Sequence, residues 1–174
     1  MAGQDRVLSA ARLVLRGFLY VNIAAAVMFA IAILVSFPLD GALTTQLTRK
    51  YGPAMDVGAI IWGLRLLALA GIVSGVTLHQ IFAALLAIVA TVRAGDPFTA
   101  ANARRLHTIA WAMLVIQLLD LGLGGFTAWA MARHLEMPSW TPTFSGWIVV
   151  LMLFVLARVF QRGAEMRDDL AMTV

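Results

Sequence analysis

A few polar or charged side chains stand inside stretches that are otherwise apolar: Arg65, the adjacent His79 and Gln80, Gln117 and Asp120. An ionised group at bilayer depth costs roughly 2.5–3.5 kcal/mol on insertion scales, so each needs a partner or a task. Gln117 lies one turn before Asp120 on the same helical face. A histidine hydrogen-bonded to an aspartate among apolar residues can hold a proton or a polar ligand, or simply join two helices. Two partners for Asp120 are open. Counted back from Arg93, His79 lies about 21 Å into a helix, level with Asp120. Counted from Val57, Arg65 lies about 12 Å deep, and its long side chain reaches the same carboxylate. His79 is the favoured partner, because residues 81–92 are too apolar to leave the membrane, and Gln80 then lies close by.

Other chemistries fail on these residues. No serine stands where His79 could activate it, since Ser74 is more than a turn away, so no catalytic triad forms. The chain has no cysteine, which removes thiolate zinc sites, iron–sulfur clusters and cysteine nucleophiles. Haem needs axial ligands at one depth. His79 falls near mid-membrane, His107 near a helix end and His134 in a loop, and the nine methionines read as packing. A His–carboxylate metal site fails for the same reason of depth. The expectation is a protein without catalytic, cofactor or metal residues, and not an enzyme.

The elements that position these groups follow from composition. The 174 residues are 61% hydrophobic and 13% charged, with mean hydropathy +0.89. A soluble domain carries about 25% charged residues, and disorder or a coiled coil needs similar or more. What remains is an integral membrane protein. Apolar runs of about 20 residues span the hydrocarbon core. They fall at 17–37, 57–93, 106–132 and 143–160. The second is about 55 Å long if helical, with no turn signal to fold it into a hairpin, so it extends past the bilayer. The fold expected is an all-α, single-domain, four-helix membrane bundle over residues 1–174, with 38–56 as a loop.

Arginine placement sets the orientation. Arg6, Arg12, Arg16, Arg93, Arg104, Arg105, Arg158, Arg162 and Arg167 fall on one side of the four spans. Arg49, Lys50 and Arg133 fall on the other, and Arg65 completes the thirteen basic residues. Both termini and the 94–105 loop are therefore expected in the cytoplasm. The same distribution explains the sequence pI of about 10.7 without nucleic-acid binding, for which no basic run on a polar face exists.

Gly71 and Gly75 have the small-xxx-small spacing of close helix approach, and Gly122, Gly124 and Gly125 offer a smooth facing patch. Packing of the second span on the third is the first expectation, and a homodimer through this face the alternative. Trp62, Trp129, Trp140 and Trp147 read as an aromatic belt at one interface, with Trp111 at the other.

Two polar stretches complete the pattern. Arg93-Ala-Gly95-Asp-Pro97-Phe98-Thr99 runs on to Asn102-Ala-Arg104-Arg105-Leu106, and Val159-Phe160-Gln-Arg-Gly163 leads through Met166, Asp168, Asp169 and Leu170 to Thr173-Val174. With four spans in this spacing, they resemble the bacterial membrane family known as domain of unknown function 2975. The resemblance covers nearly the whole chain. It implies an inner-membrane protein without an assigned reaction, whose genes often lie beside a small helix-turn-helix regulator, hence a membrane-held control partner. Read physically, Gly95 and Pro97 break the second helix, Thr99 caps the third and Phe98 anchors at the interface. Met166, Leu170 and Val174 form an apolar stripe flanked by Glu165, Asp168 and Asp169. Such a tail either docks on a partner or folds back on Arg104 and Arg105. Three functional expectations stand: a regulator or adaptor binding a cytoplasmic partner through this loop and tail, a small-molecule or proton-handling protein using the polar cluster, and a homo-oligomeric scaffold.

Overall fold

The computed structural model describes residues 2–52, 56–132 and 140–171, with the side chains of 2–7, 51, 168, 170 and 171 outside that description. Every regular element among the described residues is helical: α1 (Ala2–Ser36), α2 (Asp40–Tyr51), α3 (Val57–Arg93), α4 (Ala100–Ala132) and α5 (Ser145–Ala171). Four of them, all but α2, are long and apolar enough to cross a membrane, and α3 has the expected 37 residues.

Local chemistry explains the boundaries. Pro38 follows α1 and stops it. α3 closes in a Schellman turn: Gly95, at φ 81°, donates to the Val92 carbonyl at 3.1 Å, and Asp96 N–H to Thr91 at 3.1 Å. The Asp56 carboxylate caps α3 by accepting from Ala59 N–H at 3.0 Å. α2 corrects the sequence reading, which took 38–56 as a loop. Its charges complement its dipole, with Asp40 in the first turn and Arg49 and Lys50 in the last, and Gly52 at φ 85° ends it.

Two compact units are distinguished, residues 1–22, 77–117 and 144–174, and residues 23–76 and 118–143. In the first, Ile81, Leu106, Ile109, Ala112 and Ala157 form a buried core flanked by Leu85, Ile88, Met113, Leu153 and Phe160. Phe18 stacks on Phe82 at 5.9 Å. In the second, α1 lies on α3, with Phe29 over Gly71.

Large apolar side chains face outward along α1, α3, α4 and α5, including Leu34, Val76, Trp111 and Leu151. The most apolar window of α1 contains no buried residue, and those of the other three are at most 28% buried. Water would drive such surfaces together, whereas lipid chains solvate them. The protein is a multi-pass membrane protein.

The glycine expectation changes here. A Cβ at Gly71 would sit 2.8 Å from the Phe29 ring, so this glycine seats α1 rather than α4, while Gly122 and Gly125 have nothing within 4 Å of the same position. Gly71→Leu should destabilise the chain by about 1–3 kcal/mol through overpacking. Adding Phe29→Ala should recover part of the loss. Melting in mild detergent checks both, and an unchanged Gly71→Leu midpoint would contradict the contact.

Candidate functional site

The stretch between α3 and α4 is built around one side chain. Asn102 is fully buried, and each of its polar atoms is used. Its amide nitrogen donates to Thr91 Oγ1 at 2.7 Å and to the Pro97 carbonyl at 2.8 Å. Its oxygen accepts from Arg105 Nη1 at 2.7 Å. Thr91 passes the chain on by donating to the Ile88 carbonyl at 2.8 Å, and Arg105 also reaches the Ala87 carbonyl at 3.4 Å. Thr99 caps α4, its hydroxyl accepting from Asn102 N–H at 3.1 Å. Buried polar groups arranged this way specify one loop conformation, because every alternative leaves several of them unpaired.

α5 closes over this loop. The Phe98 ring lies 5.0 Å from that of Phe160, and a Cβ at Gly163 would come within 3.1 Å of Phe98, so a small residue lets α5 pass close to the ring. Arg167 Nη1 forms an ion pair with Asp96 and also donates to the Phe98 carbonyl at 3.4 Å. The tail does fold back on the loop, but the charges are the reverse of those expected: the tail supplies the cation and the loop the anion. Arg105 is turned inward to Asn102, and Glu165 accepts from Gln161 at 3.2 Å. Arg104 and Met166 are exposed. Asp169 is exposed, while the side chains of Asp168 and Leu170, and Val174 altogether, lie outside the described residues, so the expected apolar stripe is represented by Met166 alone.

Among the described residues, Arg65 and Asp120 take partners other than those expected of them. Arg65 is 9% exposed and belongs to a different junction. Its Nε donates to Ser36 Oγ at 3.0 Å, and its Nη2 to the Ser36 carbonyl at 3.0 Å and to Asp40 Oδ1 at 2.8 Å. Its guanidinium lies 4.2 Å from the Phe37 ring centroid and 5.1 Å from that of Trp62. One arginine thus holds the end of α1 and the start of α2 to α3, supplying a cation to carbonyls that a helix C-terminus leaves unpaired. Asp120 takes loop donors in place of Arg65 or His79: Oδ1 accepts from Trp140 Nε1 at 2.7 Å, and Oδ2 from Thr143 N–H at 3.0 Å. It ties Trp140 and Thr143 to α4. Gln117 is buried against Gly146, where a Cβ would overlap its amide group, so α5 begins with backbone in close contact with α4. His79 and Gln80 are exposed on α3, His107 accepts from Trp111 Nε1 at 2.9 Å, and His134 lies outside the described residues. Gly75 is buried within α3.

Sequence reasoning gave Thr91, Ser36 and Asp40 no role at a site, and read Arg167 only for orientation and Trp140 only as an interface anchor. The signal for Asp40 was there to be read: it is the first charge after the first span, and an acid there opens a helix. The others come together only through tertiary structure.

No curated protein and no solved structure matches the chain significantly. The profile of the family described as protein of unknown function (DUF2975) matches residues 9–174, which takes in the Asn102 loop, its α5 cover and all of the four long helices but the first residues of α1. With nearly its whole length matched, the chain belongs to the DUF2975 family.

Proposed function

We propose that this protein is a non-enzymatic regulator or adaptor of the bacterial inner membrane, which presents the loop at 94–99 and the end of α5 to a cytoplasmic partner. The observation that supports this reading is the Asn102 network: a short interhelical loop is held in one conformation by a fully buried polar side chain, while Phe98, Asp96 and Arg167 above it stay partly exposed. A preformed surface of this kind binds without the entropy cost of ordering a loop. The excess of arginines flanking this side favours its location in the cytoplasm under the positive-inside rule. The same rule would put both termini there. A helix-turn-helix regulator fits as the partner, meeting the exposed Met166 and the charges beside it.

Crosslinking in native membranes, followed by pull-down, tests this reading. With the crosslinker placed at the exposed Ala94, which survives the truncation, a specific cytoplasmic protein should be recovered with the full chain and lost when residues 163–174 are removed. Recovery of no such protein, or equal recovery after truncation, would exclude the adaptor role. Exchanging the ion pair as Asp96→Arg with Arg167→Asp should keep the tail in place, because the exposed pair itself contributes only about 0–1 kcal/mol.

A further inference from the structure

On the faces of α4 and α5 away from the Asn102 network, the first compact unit carries a groove of about 580 Å³. The geometry points to this groove as a binding site for the phosphate-bearing headgroup of an anionic phospholipid. Arg104 contributes one guanidinium from α4 and Arg158 a second from α5, with Thr108, His107 and Gln161 beside them. Ala100, Ala103 and Ala157 form a floor of small side chains that leaves room for a headgroup between the helices. Among the described residues neither arginine has a carboxylate in ion-pair range. Among the same residues Arg158 reaches only Gln161, at 3.5 Å, and the Arg104 guanidinium has no hydrogen-bond partner. Two such cations on facing helices suit an anion with several acceptor oxygens, to which Arg binds by paired, charge-assisted hydrogen bonds.

The apolar wall identifies the anion as a lipid. One turn along α4 from His107, Trp111 packs edge-on against Phe154 of α5 at 5.5 Å, and His107 meets the same ring at 5.5 Å. Beyond them Val115 and Leu151 continue the same helical faces and are exposed. The surface is thus cationic at one end and continuously apolar at the other. A free phosphate would fill only the first part, whereas an amphiphile fills both. His107 accepts a hydrogen bond at Nε2 from Trp111, so its Nδ1 carries the proton and is a donor. This site does not depend on the adaptor reading. It requires only that the four long helices lie in a bilayer.

The test uses the full chain, delipidated in neutral detergent and titrated with phosphatidylglycerol, phosphatidylcholine or glycerol phosphate while bound lipid is counted by native mass spectrometry. Phosphatidylglycerol should bind about tenfold or more tightly than phosphatidylcholine, and glycerol phosphate should not displace it. Arg104→Gln with Arg158→Gln should abolish the preference, whereas Arg162→Gln, outside the groove, should keep it. Arg104→Lys with Arg158→Lys should retain a reduced preference and serves as the check that altering these positions leaves a folded chain. Equal binding of the two lipids, or a preference that survives the double glutamine variant, would overturn the site. Equal competition by glycerol phosphate would overturn its assignment to a lipid.

Discussion

Asn102→Ala should lower the stability of the protein by about 3 kcal/mol, the sum expected for three lost hydrogen bonds of which one involves a charged group. The substitution takes one partner each from the Pro97 carbonyl, the Thr91 hydroxyl and Arg105 in a half-buried setting, where a lost hydrogen bond is costly. For a chain of this length the melting midpoint should fall by about 6–12 °C. Asn102→Asp keeps an acceptor for Arg105 and loses both amide donors, so its loss should be intermediate. Proteolysis should distinguish a local origin, with cleavage in 94–99 rising before the rest of the chain unfolds. A melting curve for Asn102→Ala that coincides with the parent's would show that this network does not hold the loop.

Arg65→Leu should have the second large effect. Removing one member of a buried pair costs roughly 3–5 kcal/mol when both partners are buried. Asp40 is 55% exposed and can be rehydrated, so about 2–3 kcal/mol is expected here. The loss should also be local. Without the guanidinium, α2 loses its ion pair to α3, and hydrogen exchange across Asp40–Tyr51 should speed up by more than elsewhere. Asp40→Asn in the Arg65→Leu background should add little further loss, because their interaction is already gone. Exchange in α2 no faster than in the parent would contradict the junction.

These two side chains also show what the sequence could and could not disclose. The four long helices were legible because an uninterrupted apolar run of about 20 residues matches the thickness of a bilayer and suits little else. Thr99 was legible as a cap because capping is local, decided within three residues. Arg65 was legible as an expensive residue, but its partner was not. Depth along a helix can be counted from sequence, whereas the side of the helix facing a neighbour cannot, so Asp120 was offered as its partner and Asp40 was not weighed. The helix at α2 was hidden by its polarity: with a mixed surface it lacked the periodic apolar stripe by which helices are recognised. Asn102 stood in the most distinctive motif of the chain, yet its role rests on Thr91, eleven positions earlier on another helix. Asp120 was placed by the same counting as a midplane charge, while its donors are Trp140 and Thr143, 20 and 23 positions later.

The two clasps differ in when they can form during synthesis. Arg65 meets partners 25 and 29 positions earlier, so this junction can close soon after the third helix starts to emerge. Arg167 meets Asp96 across 71 positions. At about 5–20 residues per second, several seconds separate the appearance of the loop from that of its cover. Through that interval the loop stands folded but uncovered, and a chain halted before residue 160 keeps it so. A nascent or truncated molecule therefore differs from a finished one at this surface, even where its membrane helices are already in place.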